Sequence, residues 1–271
     1  MTATGVLEVT ATKKAQKTTL RSCFYEGALK ITRPVYLDPY SPTIYLIHVG
    51  GGYVNGDEYL TSIQLEDGAE MSVTTQSSTK VYRTPSAPVL QKTDIRLGKE
   101  SVLEYIPDPL IAYQDAKFIQ QTTVHLEEDS TLIYSDIITP GWAKDGHLFQ
   151  YDWIRSKLEV YKEERMILYD HLLLEPDEEF DGLMQMDGFT HIGMFLVIDQ
   201  RVDKKWINKL YEMLSAEEAD VSFGLSKLPD NGCIIRVLGY QSYVIEKLIA
   251  KAHDWIRERL LDKEVIRWRK Y

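Results

Sequence analysis

The sequence predicts a mainly β protein, a β-helix-like stack of β-hairpins with two α-helices in its C-terminal third. Three observations carry that prediction: period-two alternation over the first two-thirds of the chain, a recurring strand–turn–strand unit, and two late amphipathic segments. Alternation marks half-buried strands, as in "VTTQSSTKVYR" and "TTVHL". The recurring unit begins at Ile63 ("IQLEDGAEMSVT"), Ile95 ("IRLGKESVLEY"), Val124 ("VHLEEDSTLIY") and Leu158 ("LEVYKEERMILY"). These starts fall about thirty residues apart, within the range of stacked repeats. A lone hairpin cannot bury its apolar face, so copies stack on one another. Ordinary hairpins in a sandwich would leave the same loose similarity, and either architecture is favoured over a parallel α/β fold.

The helices come late. "DKKWINKLYEMLSAEEA" places Trp206, Ile207, Leu210, Met213 and Leu214 on one face, with Asp203 at the capping position. "QSYVIEKLIAKAHDWIRERLLDK" does the same with Val244, Ile245, Leu248, Ile249, Ala252, Trp255 and Ile256. Arg257 and Arg259 lie near its end, where the helix dipole favours positive charge. Between the helices, "GCIIRVLGY" reads as a buried strand bounded by Gly232 and Gly239. Without a low-complexity linker, residues 1–271 read as one domain.

Composition bounds the function. Hydrophobic residues make up 44% and charged residues 27% of 271, ordinary usage for a soluble globular chain. A net charge of −10 argues against non-specific nucleic-acid binding. The opening "MTATGVLEVTATKKAQ" is too polar for a signal peptide, and no run approaches a membrane span, so a cytoplasmic location and no membrane partner are expected. Cys23 and Cys233 are far apart, outside any metal-like spacing, and read as reduced structural residues.

The segment "VGGGYVNGDEY" (49–59) raises the question of what its backbone approaches. It is not a phosphate loop. Gly56 is followed by Asp57 and Glu58 rather than Lys-Ser or Lys-Thr, and no helical pattern follows. The histidines at 48, 125, 147, 171, 191 and 253 form no metal-like pair and read as structural or surface residues. No nucleophile elbow or other catalytic set is present. Two carboxylates lie in apolar strands, Asp136 in "TLIYSDIITPG" and Asp170 in "MILYDHLLLEP". Each either turns outward or costs several kcal/mol unless it is paired, hydrogen-bonded or bound to a cation. Asp57 reads first as a turn residue capping nearby amides.

The motifs resemble a known family, the urease accessory protein UreD, also called UreH. Its Gly-Gly-x-x-x-Gly-Asp segment is matched by Gly51, Gly52, Gly56 and Asp57. Its Thr-Gln-x-x-Thr-Lys-x-Tyr-Arg run is matched by Thr75, Gln76, Thr79, Lys80, Tyr82 and Arg83. "LEYIPDPLIAYQDAKFIQQTTVHL", "SDIITPG" and "GCIIRVLG" follow in the family's order. The chain departs where members often carry Arg and then Gly-Glu-x-Phe, having Trp142 and then Gly146, His147, Leu148 and Phe149.

The resemblance implies a maturation scaffold or chaperone rather than an enzyme. It implies binding to the helical partner UreF, which recruits the GTPase UreG, and docking on apo-urease for nickel insertion. It also implies a β-helix-like fold and an internal, water-filled nickel path, with no tightly bound cofactor. By residue type and context, Asp57, Asp136 and Asp170 are the expected transient nickel contacts, since lone carboxylates bind weakly and suit transit. Two other readings compete: a carbohydrate-active β-solenoid enzyme, suggested by repeats and plentiful acids, and an interaction protein without a metal role.

Overall fold

The computed structural model describes residues 3–176, 186–216 and 220–268. In chain order the strands are β1 (Gly5–Lys14), β2 (Lys17–Gly27), β3 (Leu29–Ile31), β4 (Thr43–His48), β5 (Glu58–Leu65), β6 (Glu70–Thr75), β7 (Thr79–Val81) and β8 (Val89–Leu97). They continue as β9 (Val102–Tyr105), β10 (Leu110–Ala112), β11 (Lys117–Leu126), β12 (Thr131–Ile138), β13 (Trp153–Lys162), β14 (Arg165–Leu174) and β15 (His191–Ile198). Helix α1 (Lys204–Ser215), β16 (Val221–Lys227), β17 (Gly232–Gly239) and α2 (Ser242–Arg259) complete the fold. Part of the acidic end of the first expected helix, residues 217–219, lies outside the described residues.

Two sheets face each other. In the first, β1, β5, β8, β11 and β13 run parallel, with β2 and β14 antiparallel at the edges. In the second, β4, β6, β9 and β12 run parallel. Antiparallel β15, β17 and β16 extend it on one side and β3 on the other. The short parallel pair β7 and β10 branches from this second sheet, where Leu110 of β10 pairs with Ile138 of β12. This is the stacked β-solenoid architecture the repeats predicted.

The repeated unit is an arch rather than a hairpin. In each of the first three copies the chain leaves one sheet and enters the other, from β5 to β6, β8 to β9 and β11 to β12. Turn chemistry explains the difference. Each arch holds one left-handed residue at the same place, Gly68 (φ 66°), Glu100 (φ 56°) and Asp129 (φ 57°), and closes with a backbone bond three residues long. The fourth copy has two in succession, Glu163 (φ 48°) and Glu164 (φ 64°). Two consecutive left-handed residues make the tight turn that joins strands of one sheet. So β13 and β14 form a true hairpin, and Val160 rather than Leu158 continues the column of Ile63, Ile95 and Val124.

Period-two alternation gives each strand two destinations. Inward residues such as Ile63, Ile95, Val124, Met71, Leu103 and Leu132 build the core between the sheets. Outward residues of the second sheet, including Ile133, Phe195, Val197 and Ile235, pack under Ile207, Leu210, Leu214, Ile245, Ile249 and Ile256 of the helices. Asp203 caps α1, its carboxylate accepting from the Trp206 N–H at 2.7 Å. Helix α2 stops at Arg259, so "LLDK" belongs to an irregular tail.

That tail and helix are tied to the solenoid by buried charge. Glu104 on β9 and Arg257 on α2 are 2% and 0% exposed, so neither is solvated and each depends on its partners. Arg257 donates to Glu104 and, at 3.2 Å, to Asp38. His253 Nε2 and Ser72 Oγ complete the Glu104 carboxylate, while Lys263 joins Asp38 and Glu70. Arg257 therefore does more than complement the helix dipole, because its side chain turns into the fold.

Candidate functional site: a polar cavity between the sheets

Along the parallel strands of the first sheet, inward positions change from apolar to polar towards the strand starts. Tyr59, Gln91, Gln120 and Ser156 pair in one column, and Thr61, Thr93 and Thr122 in the next. Thr75, Tyr105, Tyr134 and Asp136 face them from the second sheet. All of these but Thr93 and Ser156 line a cavity of about 170 Å³. One water needs only roughly 15 Å³ by the same kind of volume, so this space is not a packing defect. Tyr105 and Tyr134 stack at 5.5 Å, and Tyr53 and Tyr59 at 3.9 Å, giving the cavity stiff aromatic walls.

The two sequence motifs meet at its mouth. The Tyr53 N–H donates to Lys80 O at 2.7 Å, and the Tyr82 N–H donates back to Tyr53 O at 2.8 Å. Tyr82 Oη donates to Gly51 O at 3.3 Å. What the glycine-rich backbone approaches is therefore the second motif. A Cβ on Gly52 would sit 2.6 Å from the Tyr82 ring and 2.8 Å from Lys80 O, at φ +156°. Gly51 has no heavy atom within 4 Å of that position, at φ +81°. We therefore expect Gly52→Ala to cost about 2–3 kcal/mol and Gly51→Ala about 1 kcal/mol. Equal melting temperatures for the two variants would contradict the close-packing account.

Thr79 and Lys80 line the cavity, but Gln76 and Arg83 do not. Gln76 is exposed and its N–H donates to Leu46 O at 2.9 Å, while Arg83 pairs on the surface with Asp115 at 3.1 Å. Trp142 and His147 also lie off the cavity. Trp142 is exposed beside Tyr113, ring centroids 5.1 Å apart, and the His147 N–H donates to Asp145.

The three carboxylates occupy different places. Asp57 stands behind the wall, accepting from the Val54 N–H at 2.7 Å, Tyr59 Oη at 2.8 Å and Thr4 Oγ1 at 3.0 Å. Asp136 points inward, where Gln120 Nε2 donates to it at 2.7 Å and Ser156 Oγ lies 3.5 Å away. Burial raises its pKa to about 6, with Asp170 adding to the rise and the Gln120 and Ser156 hydrogen bonds opposing it. Asp170 accepts from Arg236. A second cavity of about 20 Å³ is lined by Asp136, Tyr134, Ser156, Asp170 and Arg236. Asp136 and Tyr134 belong to both cavities, so the polar walls continue from the glycine loop to the Asp170–Arg236 pair. Asp57 reaches this path only through Tyr59.

His48, which reads from the sequence as a structural or surface histidine, and Asp108, which reads as a solvated turn residue, both belong to the wall. His48 ends the apolar run "TIYLIH" just before the glycines, the available signal for it. Thr75 Oγ1 donates to Asp108 at 3.0 Å. Among the described residues no three His, Cys, Asp or Glu side chains gather into a metal-holding cluster.

Fold and site together define a β-solenoid that encloses a polar cavity lined by phenols, amides and a buried carboxylate. The family model described as UreD urease accessory protein matches residues 3–270. The chain belongs to that family, which places it in the maturation of urease. The urease accessory protein UreD of Bacillus sp. (strain TB-90) is 57% identical over 271 residues, covering 100% of both chains. The one from Staphylococcus aureus (strain Newman) is 37% identical over 272 residues, covering 99% of this chain and 98% of its own. The Staphylococcus epidermidis protein is 35% identical over 272 residues with the same coverage. Among the described residues, no helix is long and apolar enough to cross a membrane.

Proposed function

We propose that this chain is a non-enzymatic scaffold of urease maturation, acting in the cytoplasm as the chaperone through which nickel is inserted into apo-urease. In this reading it binds UreF, which brings UreG, and the assembly docks on apo-urease. Nickel enters between the glycine loop and the Thr79–Lys80 segment, passes Asp136 and leaves towards Asp170. The observation that supports the path is the polar lining shared by the two cavities at Asp136 and Tyr134. Parallel β-stacks ordinarily fill their interiors with apolar side chains, as this one does in the half nearer its arches. Keeping Gln91, Gln120, Thr122 and Asp136 inside sacrifices core packing for a wet route. Isolated carboxylate, amide and phenol oxygens hold a divalent ion loosely, and loose successive contacts let it move on.

The test is the nickel content of urease purified from cells making every other maturation protein, with and without this chain. Nickel is expected to fall to background without it. Unchanged nickel would remove the chain from the loading pathway. Asp136→Ala, in a chain that still assembles with UreF, is expected to lower the nickel content as well. Full loading with that variant would leave a scaffold without a conduit.

A further inference from the structure

His48 is the last residue of β4 and part of the cavity wall. Its Nε2 lies 2.8 Å from Tyr59 Oη, which donates to Asp57 Oδ2 at 2.8 Å. The direction of that chain fixes the tautomer. Tyr59 has one hydroxyl proton, and the Asp57 carboxylate, already accepting from Val54 and Thr4, takes it. The Tyr59 oxygen then accepts from His48, so the imidazole carries its proton on Nε2 and a bare lone pair on Nδ1. Nδ1 is buried and has no hydrogen-bond partner among the described residues. Buried polar atoms are ordinarily satisfied, so this orphan, on a residue of the cavity wall, calls for a partner. The glycine loop passes beside the ring: a Cβ on Gly50 would lie 3.6 Å from Cε1, the carbon between the two ring nitrogens.

We propose that His48 Nδ1 is a ligand for a borderline divalent cation of the nickel and cobalt class at the cavity mouth, with Tyr59 and Asp57 holding the tautomer that frees its lone pair. The choice of cation rests on the conduit reading above, and the ligand assignment deepens it. A neutral imidazole suits nickel, cobalt, copper and zinc, whereas oxygen-only walls equally suit magnesium and calcium. One nitrogen at the entrance therefore discriminates where the carboxylates deeper inside do not. Hydrogen-bonded partners commonly orient a ligating histidine in this way, which makes Asp57 a positioning residue. A single nitrogen helped only by water and hydroxyl oxygens also releases its ion readily.

The test uses the full chain labelled with ¹⁵N-histidine and titrated with Ni²⁺ or Co²⁺, read by long-range ¹⁵N–¹H NMR. His48 is identified by its contacts to the Tyr53 and Tyr59 rings. Before metal it is expected to be neutral with the proton on Nε2, and on titration its resonances broaden first among the six histidines. Tyr59→Phe is expected to weaken the apparent affinity at His48 about tenfold, while His48→Asn removes the site. A proton on Nδ1, or a His48 signal indifferent to metal while other histidines broaden, would overturn the proposal. The wild-type spectra and Tyr59→Phe decide the matter even if His48→Asn does not fold. The two readings fail separately. Urease nickel that depends on this chain while His48 ignores the cation defeats the ligand assignment alone. Cation binding at His48 with urease nickel indifferent to the chain defeats the conduit and leaves the site standing.

Discussion

Glu104→Ala is expected to cost about 3–5 kcal/mol of folding stability, the range for breaking a buried ion pair by removing one partner. Folded domains hold only about 5–15 kcal/mol in all, so most of the margin would go. The physical reason is what remains behind. Arg257 would keep its charge in a site with no access to solvent, with only Asp38 and the Glu264 carbonyl still accepting from it. His253 would lose the carboxylate oxygen that satisfies its Nε2. Because Arg257 and Glu104 join α2 to β9, the loss should loosen the helices from the solenoid before it loosens the stack itself. Hydrogen exchange would then show α2 amides losing protection ahead of those in β8 and β11. Replacing Glu104, His253 and Arg257 together by apolar residues should recover most of the loss, since no charge is stranded. A single variant as stable as wild type would refute the account. Acid should act in the same direction. Burial alone would raise the Glu104 pKa, but hydrogen bonds from His253 and Arg257 and their charge bring it down to about 2. A folded value below the unfolded one stabilises above the unfolded pKa and is lost as pH falls through the folded value. The contribution is thus present above about pH 4.5, the ordinary value, and disappears as pH approaches 2.

Asp136→Asn has the opposite sign. Burial puts this carboxyl at about 6 against an ordinary 3.8, so its ionised form is disfavoured in the folded chain. A raised acid destabilises fully above its folded pKa, and the penalty is relieved as pH falls to the unfolded value. At about 1.4 kcal/mol per pH unit, and discounting because the group opens onto a cavity, the variant should gain about 2 kcal/mol at pH 8. Asparagine keeps an oxygen for the Gln120 amide, so the hydrogen bond need not be lost. The gain should shrink through pH 6 and vanish near pH 4. Urea unfolding of both proteins at pH 8, 6 and 4 measures it, and a variant less stable at pH 8 would contradict the burial argument. If the proposed conduit holds, the same variant lowers the nickel content of urease. A residue whose removal stabilises the fold and damages function is one retained for its chemistry.

Some of this was readable along the chain. That Asp136 is a carboxylate in an apolar strand was plain, but whether it turned outward or inward stayed open until the structure put it on the face of Leu132 and Tyr134. Asp203 before an amphipathic run announced α1 and its cap, and the spacing of Ile63, Ile95 and Val124 announced the stack. These are local or periodic properties, carried by neighbouring residues or by strict repetition. Arch against hairpin was not readable, because it turns on whether one residue or two adopt left-handed backbone, and acidic residues fill both kinds of turn here. Nor could spacing reveal that Asp57 acts through Tyr59 on His48, since a glycine loop of no regular period separates them. The Glu104–Arg257 pair spans 153 residues and exists only because α2 packs on the second sheet, from where Arg257 reaches β9. Sequence determined which residues alternate, cap and repeat. Only the tertiary structure decided which polar groups share a buried space, because charges and lone pairs far apart in the chain meet only when the stack closes over them.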